Sequence, residues 1–207
     1  MLIGIGLGPG DPELLTLKAV EVLKQSDIVF VPGRLAAKLV EPYAQPHMLE
    51  FPMTKDKKIL QFHWEENADT VARHAKNGLA VFGLIGDPNF FSTFTHLRRL
   101  ISQHHPDIVI ETIPGISSIT AFASRTDIQV ENSFQVSDGS PFNDRIVMKA
   151  RRPKQLLKWL KSEGFDEFIL AQKLFSEDEE ITTNIEQFPE KGDYFSIIHA
   201  RKHIDTK

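Results

Sequence analysis

The sequence predicts an α/β protein with a parallel sheet and a smaller α+β domain after it, and three observations lead to this fold class. Short apolar runs alternate with amphipathic stretches over about the first 130 residues, as in parallel strands joined by helices. A break that contains Gly or Pro follows most of these runs. After about Asn132 the runs become shorter and only one helical stretch interrupts them. We therefore predict an N-terminal α/β domain over 1–131 and a C-terminal α+β domain over 132–207.

Strands are predicted where apolar runs are bounded by Gly, Pro or polar residues. In the first domain these runs are 2–7, 27–31, 79–85 and 108–113. In the second domain they are 134–136, 145–148, 167–175 and 194–200.

Helices are predicted between the strands, where apolar residues recur every three or four positions. The longest candidate spans 54–77, carries Leu60 and Trp64 on one face, and ends at Gly78, a residue typical of helix C-termini. The predicted helices are 12–26 with Asp11 as N-cap, 34–40, 54–77, 93–103, 117–125, and one that begins near Pro153 and ends near Gly164.

The composition excludes several classes of protein. The 24 Lys and Arg stand against 28 Asp and Glu, a net charge of −4, so no overall basic field attracts nucleic acid. The chain has no cysteine, which excludes disulfides and cysteine nucleophiles. Its apolar runs are far shorter than the roughly 18 residues of a membrane helix, and the N-terminus shows no signal peptide. We therefore expect a cytoplasmic protein with no nucleic-acid or membrane partner.

Three loops with glycine and small polar residues follow the runs 2–7, 79–85 and 108–113. They read Gly8-Pro9-Gly10-Asp11, Gly86-Asp87-Pro88-Asn89 and Pro114-Gly115-Ile116-Ser117-Ser118. One such loop is typical of a tight turn. Three loops at the carboxyl edge of a parallel sheet favour a ligand site, because open α/β sheets bind ligands at that edge.

The common nucleotide and metal motifs are absent from the sequence. Gly4, Gly6, Gly8 and Gly10 alternate strictly, so the dinucleotide pattern G-x-G-x-x-G is not matched, and no Walker A motif occurs. The pair at 104–105 is the only run of adjacent histidines, and no H-E-x-x-H accompanies it. NAD and ATP are therefore disfavoured as ligands, and we predict no metal site.

The order and spacing of the three loops resemble the signature segments of the tetrapyrrole methylases. The similarity runs through 8–19, 86–88 and 114–118 and covers most of the chain. It implies two domains with a ligand cleft between them, S-adenosylmethionine as the methyl donor, a tetrapyrrole as the small-molecule substrate, and a homodimer.

One loop narrows the resemblance to a branch of the family. The segment 86–94, Gly-Asp-Pro-Asn-Phe-Phe-Ser-Thr-Phe, is similar to the C-20 methyltransferases of corrin biosynthesis, and 51–56 and 147–149 resemble the same branch. This implies methylation of precorrin-2 or cobalt-factor II (cobalt-precorrin-2) in cobalamin biosynthesis. That branch more often has Tyr at the position of Phe91, so we assign Phe91 to packing only.

The resemblance also implies which residues contact the donor. Loops of Gly and Pro let the main chain approach a ligand closely, and serine hydroxyls or N–H groups at a helix start bind its polar end. The implied donor contacts are Pro9, Ile85, Gly86, Asp87, Phe90, Ser92, Thr93, Ser117, Ser118 and Met148.

A ring carbon that accepts a methyl group must lose a proton, so a base has to be within reach. The candidate catalytic residues are Asp87, Lys149 and Tyr194. Each has an alternative role: Asp87 as a turn cap, Lys149 as a partner of a substrate carboxylate or a solvated edge residue, and Tyr194 as packing in the last strand. Cations near the predicted loops are available for substrate carboxylates: Arg34, Lys38, Lys55, Lys57, Lys58, Arg151 and Arg152.

Three other functions stay open at this point. The chain could methylate another ring position, which product analysis would detect. It could bind S-adenosylmethionine without catalysis, in which case donor binding occurs without turnover. It could also bind another phosphate or nucleotide ligand, in which case nucleotides compete for the site.

Overall fold

A computed structural model describes residues 1–52, 54 and 56–203. The chain divides into two compact units, the first Met1–Glu131 and the second from Asn132 onward. None of the helices in the described residues has the length and hydropathy needed to cross a membrane.

The first unit is built on a parallel sheet, as the sequence predicts, and this sheet has five strands. The strands are β1 Leu2–Gly6, β2 Ile28–Val31, β3 Pro46–Met48, β4 Ala80–Leu84 and β5 Ile110–Ile113. Their order is β3-β2-β4-β1-β5, so β1 lies between β4 and β5. Every residue of β1 and β4 is buried, which is typical of parallel strands covered on both faces.

Helices cover both faces of this sheet and enclose two separate cores. The helices of the unit are α1 Leu17–Gln25, α2 Arg34–Val40, α3 Lys57–Asn77, α4 Thr93–His104 and α5 Ser118–Thr126. One core joins α3 and α4 to the sheet through Val71, Leu97 and Phe82. The other joins α1 and α2 to the opposite face through Leu23 and Val40.

The second unit has an antiparallel sheet with one helix against it. The strands are β6 Asp144–Met148, β7 Glu167–Gln172, β8 Glu180–Thr182 and β9 Ser196–Arg201, in the order β6-β9-β7-β8. Helix α6 spans Pro153–Ser162, and its Leu157 and Leu160 pack with Phe168 and Ile198 in a third core. Burial alternates along β9, as in a sheet with one covered face.

The predicted first helix is divided into two elements. Asp11 caps a 3₁₀ turn over Pro12–Leu14, where its side chain accepts the N–H of Glu13 at 3.0 Å. A second cap then starts α1, since Thr16 Oγ1 accepts the N–H of Ala19 at 3.1 Å. Two successive N-caps therefore explain why the helix does not begin at Pro12.

The other differences lie at weakly patterned segments. Helix α3 begins at Lys57 instead of 54, because the Asp56 side chain caps it. The predicted strand 134–136 is wrong: the segment forms no strand, and Phe134 is 64% exposed. Strands β3 and β8 were not predicted, since each has three residues at a sheet edge and little apolar pattern. Glu180, the last residue of the acidic run 177–180, begins β8.

Asp144, His199 and Arg201 form an ion cluster on the second sheet, and this cluster predicts how the stability of the fold depends on pH. Asp144 Oδ1 accepts hydrogen bonds from His199 Nε2 at 2.8 Å and Arg201 Nε at 2.7 Å. Burial opposes ionisation of Asp144, but the hydrogen bonds from Arg201 and His199 outweigh it and lower the pKa of the carboxyl. A lowered pKa stabilises the fold above the unfolded-state pKa of about 3.9, and the stabilisation is lost as pH falls through the folded-state value.

We therefore expect Asp144→Asn to remove part of the acid sensitivity of unfolding. Urea unfolding of wild type and variant from about pH 6 to about pH 2 should show the two stabilities converging at the acid end. If the free energies of unfolding of wild type and variant differ by the same amount at every pH in this range, the lowered pKa of Asp144 does not contribute to stability.

Candidate active site

The carboxyl ends of β4, β1 and β5 bring the three predicted loops together. The Gly86 N–H donates to Gly8 O at 2.7 Å, which joins the first loop to the second. The Gly115 N–H donates to Asp87 Oδ2 at 3.1 Å, which joins the third loop to the second. The prediction that these loops share one edge of the sheet is confirmed.

The loops approach so closely that only glycine fits at two positions. A Cβ on Gly115 would overlap Gly86 O and would lie 2.7 Å from Gly6 Cα. A Cβ on Gly6 would overlap the main chain of Gly115 in the same way. Since these neighbours are main-chain atoms, no side-chain movement could relieve the overlap. Neither Gly6 nor Gly115 was predicted to be a site residue, although the alternating glycines of β1 and the glycine of the third loop are visible in the sequence.

Asp87 accepts hydrogen bonds with both of its carboxylate oxygens, one within its own loop and one from the third loop. Oδ1 accepts the N–H of Asn89 at 2.8 Å, while Oδ2 accepts that of Gly115, and the residue is only 9% exposed. A buried carboxylate with two main-chain donors stabilises the local turn. This geometry favours the turn-capping role over the role of a proton acceptor.

Two serines of the predicted site cap helices at this edge. Ser92 Oγ accepts the N–H of Phe94 at 3.0 Å at the start of α4, and Ser117 Oγ accepts that of Ile119 at 3.2 Å at the start of α5. Each hydroxyl still has its proton to donate. Ser118 is exposed in the first turn of α5, so this helix start offers polar groups to a ligand.

The apolar members of the predicted donor site border the same loops. Pro9 and Ile85 are half-buried, and Phe90 is 49% exposed. Thr93, the first residue of α4, is half-buried as well. The prediction that Phe91 serves packing is wrong: it is 67% exposed and has a φ of 49°, because the tight turn before α4 directs the chain away from the core.

The second unit contains the remaining predicted residues. Met148 ends β6 and is 68% exposed, and Lys149 follows it with a φ of 54°. Tyr194 lies two residues before β9 instead of opening it. Lys149 Nζ lies 5.5 Å from the centre of the Tyr194 ring, and the Arg151 guanidinium carbon lies 4.8 Å from it. The structure thus brings Lys149, Tyr194 and Arg151 together.

Some of the predicted features cannot be placed. Met53 and Lys55, part of the segment 51–56, lie outside the described residues. Within the residues that are described, no group of three His, Asp or Glu side chains is arranged to hold a metal ion.

The fold and the site define a class of protein: an α/β ligand-binding protein whose parallel sheet carries three joined glycine loops, with an antiparallel α+β unit after it. The model of the family Tetrapyrrole (Corrin/Porphyrin) Methylases matches residues 1–189. The chain therefore belongs to the tetrapyrrole methylases, which confirms the resemblance.

Known relatives agree with this assignment. A protein of Methanocaldococcus jannaschii named "Probable cobalt-precorrin-2 C(20)-methyltransferase" is 32% identical, over 94% of this chain and 93% of its own length. A precorrin-2 C(20)-methyltransferase of Sinorhizobium sp is 27% identical, over 95% of this chain and 93% of its own length. The crystal structure of the methyltransferase CobJ is similar in fold, with a TM-score of 0.52 and 17% identity over 97% of this chain and 93% of that one.

Tetrapyrrole methylases use S-adenosylmethionine as the methyl donor, and the loops of the first unit suit such a ligand. Gly6 and Gly115 let the main chains of the loops approach one another within contact distance. The Ser117 hydroxyl and the start of α5 provide hydrogen-bonding groups beside it. Half-buried Ile85 and Pro9 provide apolar surface. The residues present therefore offer both hydrogen-bonding groups and apolar surface, and S-adenosylmethionine can use both.

Proposed function

We propose that this protein transfers a methyl group from S-adenosylmethionine to C-20 of cobalt-factor II (cobalt-precorrin-2) or precorrin-2, a step of cobalamin biosynthesis. The observation that carries the proposal is the 32% identity to the Methanocaldococcus jannaschii relative over nearly the full length of both chains. The aromatic-Ser-Thr sequence at 91–93 supports the same position on the ring.

We assign donor binding to the first unit. Its loops, joined through Asp87, would hold the donor, with contacts from Pro9, Ile85, Gly86 and Phe90, and from Ser92, Thr93, Ser117 and Ser118 at the two helix starts. When bound, S-adenosylmethionine supplies a methyl group whose bond to sulfur breaks as its bond to the ring carbon forms. Rigid loops favour this displacement because holding two reactants in line contributes roughly 7–11 kcal/mol to catalysis in well-oriented systems.

We assign acceptor binding to the second unit, where Met148 would add a donor contact. The methylated ring carbon must lose a proton, and Tyr194 is our candidate for its transfer because the side chain is 43% exposed and lies beside Lys149 and Arg151. Lys149 is exposed, so of its two predicted roles we favour pairing with a substrate carboxylate. In this proposal Asp87 positions the loops and does not take the proton.

We also propose a homodimer that acts in the cytoplasm. Helix α5 has no buried residue, and its Phe122 is 61% exposed, while Ile128 and Val130 beyond it are 49% and 52% exposed. Exposed apolar residues in such proximity are typical of an interface, and a second copy of the chain would cover them. The absence of cysteine fits a reducing compartment. Light scattering of wild type and Phe122→Asp would test the dimer.

The decisive experiment is anaerobic incubation of the protein with S-adenosylmethionine and either the cobalt-bearing or the metal-free dimethylated tetrapyrrole. We expect a mass gain of one methyl group, located at C-20 by NMR, and the preferred acceptor identifies the substrate. A methyl group on another carbon would favour the alternative that the chain methylates another ring position. Binding of S-adenosylhomocysteine without any mass gain would contradict the enzymatic function.

Tyr194→Phe provides a separate test of the acceptor side. If the hydroxyl transfers a proton, kcat falls by about 100-fold or more, while the affinity for S-adenosylhomocysteine stays at the wild-type value. Phe195→Leu is the matched control, since the neighbouring Phe195 is 68% exposed and has no proposed role. Equal kcat values for wild type and Tyr194→Phe would remove Tyr194 from the mechanism.

A further inference from the structure

A concave surface of the second unit gathers cationic side chains around an aromatic ring. Its volume is about 610 Å³, within the roughly 300–1,000 Å³ of small-molecule sites. Arg151, Arg152 and Lys191 line it together with Tyr194, and two carboxylates, Glu190 and Asp193, line it as well. The concentration of cations is notable in a chain whose net charge is −4.

Two of the cations are held against the Tyr194 ring. The guanidinium carbon of Arg151 lies 4.8 Å from the ring centre, and Lys149 Nζ lies 5.5 Å from it. Both distances are typical of cation–π contacts. Such a contact positions a cation without neutralising it, so both charges stay available to an anion.

The two carboxylates that line this surface form no salt bridge with its cations. Within the described residues, none of Lys149, Arg151, Arg152 and Lys191 has a carboxylate oxygen within salt-bridge distance. Glu190 is paired with Lys154 at 3.4 Å. Asp193 Oδ1 accepts the N–H of Phe195 at 2.8 Å.

Main-chain hydrogen bonds hold the surface in shape. The Gly192 N–H donates to Arg151 O at 3.0 Å, and the Ala150 N–H donates to Ser196 O at 2.8 Å. Lys149 has a φ of 54°, a left-handed conformation that non-glycine residues rarely adopt and that occurs often at functional sites. The cations are therefore presented from a fixed backbone.

We propose that this surface binds a carboxylate of the tetrapyrrole substrate, with Arg151 as the principal ligand and Lys149 and Lys191 beside it. A guanidinium suits this role because its planar fork donates two parallel hydrogen bonds to one carboxylate. The identity of the ligand rests on the proposed function, because the substrates of that reaction carry several carboxylates. The existence of an anion site depends only on the charges described above.

The test measures binding without methyl transfer. The full chain is titrated with uroporphyrin III, a macrocycle with acetate and propionate side chains, and binding is followed by porphyrin fluorescence. We expect Arg151→Gln to weaken binding by about tenfold or more, the loss typical of a charged hydrogen bond, and Lys191→Gln to weaken it as well. Arg151→Lys should lose less than Arg151→Gln because it keeps the charge. Added salt should weaken binding to the wild type.

Lys158→Gln is the matched control. Lys158 is exposed on α6 and does not line the concave surface. The substitution removes one positive charge, as Arg151→Gln does, so the uroporphyrin affinity of Lys158→Gln should equal that of the wild type. An equal loss in Lys158→Gln and Arg151→Gln, or no loss in Arg151→Gln and Lys191→Gln, would overturn the proposal. Failure of the wild type to bind uroporphyrin would overturn it too.

Two further measurements separate the possible causes of failure. Thermal melting and S-adenosylhomocysteine affinity identify a misfolded Arg151→Gln protein. In that case the uroporphyrin affinity of Lys191→Gln tests the anion site, because residue 191 is exposed and its substitution does not disturb a core. In turnover assays Arg151→Gln should raise KM for the acceptor with little change in kcat. If the wild type transfers no methyl group but the porphyrin titrations behave as expected, the proposed function fails and the anion site stands.

Discussion

We expect Gly115→Ala to weaken the binding of S-adenosylhomocysteine by roughly 5- to 150-fold. The added methyl group would overlap Gly86 O and lie 2.7 Å from Gly6 Cα, and overpacking against rigid neighbours costs about 1–3 kcal/mol. The overlap can be relieved only if the third loop moves away from the first two. That movement would separate the groups that we assign to donor binding.

The matched control for this variant is Gly33→Ala. A Cβ on Gly33 has no neighbour within 4 Å, and its φ of 175° is extended backbone that alanine adopts freely. Isothermal titration with S-adenosylhomocysteine should give the wild-type Kd for Gly33→Ala. If Gly115→Ala also retains the wild-type Kd and melting temperature, the close contact of the loops is not required for the donor site.

The second large effect is expected for Asp87→Ala. Removal of the carboxylate leaves the N–H groups of Asn89 and Gly115 without their acceptor. Both hydrogen bonds are part-buried, so we expect each loss to lie at the lower end of the about 1–3 kcal/mol that an unsatisfied buried group costs. For a chain of this size each kcal/mol lowers the melting temperature by about 2–4 °C. Donor affinity should fall with stability, since the second and third loops lose one of their connections.

Asp87→Asn distinguishes a positioning role from a catalytic one. The amide keeps one acceptor oxygen and loses the other, so we expect losses of stability and donor affinity between those of wild type and Asp87→Ala. Calorimetry and S-adenosylhomocysteine titration check both quantities. If Asp87→Asn keeps the wild-type stability and donor affinity but loses turnover, Asp87 is the proton acceptor and our assignment of a positioning role is wrong.

Much of the first unit could be predicted because its signals are local. Apolar runs and helical spacing predicted four of the strands and all of the helices, with errors at the ends. The strand at 134–136 failed because alternation over three residues does not show whether a partner strand exists. Strand β3 was not predicted because Pro46–Met48 has little apolar pattern of its own, and it is a strand because it pairs with β2.

The sequence by itself determined the fold class, the family and the three loops at the sheet edge, because periodicity and motif spacing are properties of neighbouring residues. Only the tertiary structure decided which of the site residues contact one another. Gly115 lies 28 positions from Asp87, and their hydrogen bond exists because β4 and β5 flank β1. Lys149 and Tyr194 meet because β6 and β9 pair in a register that places Met148 opposite Ile197. Such contacts depend on strand order and register, which are set by the packing of the whole unit and not by any local pattern.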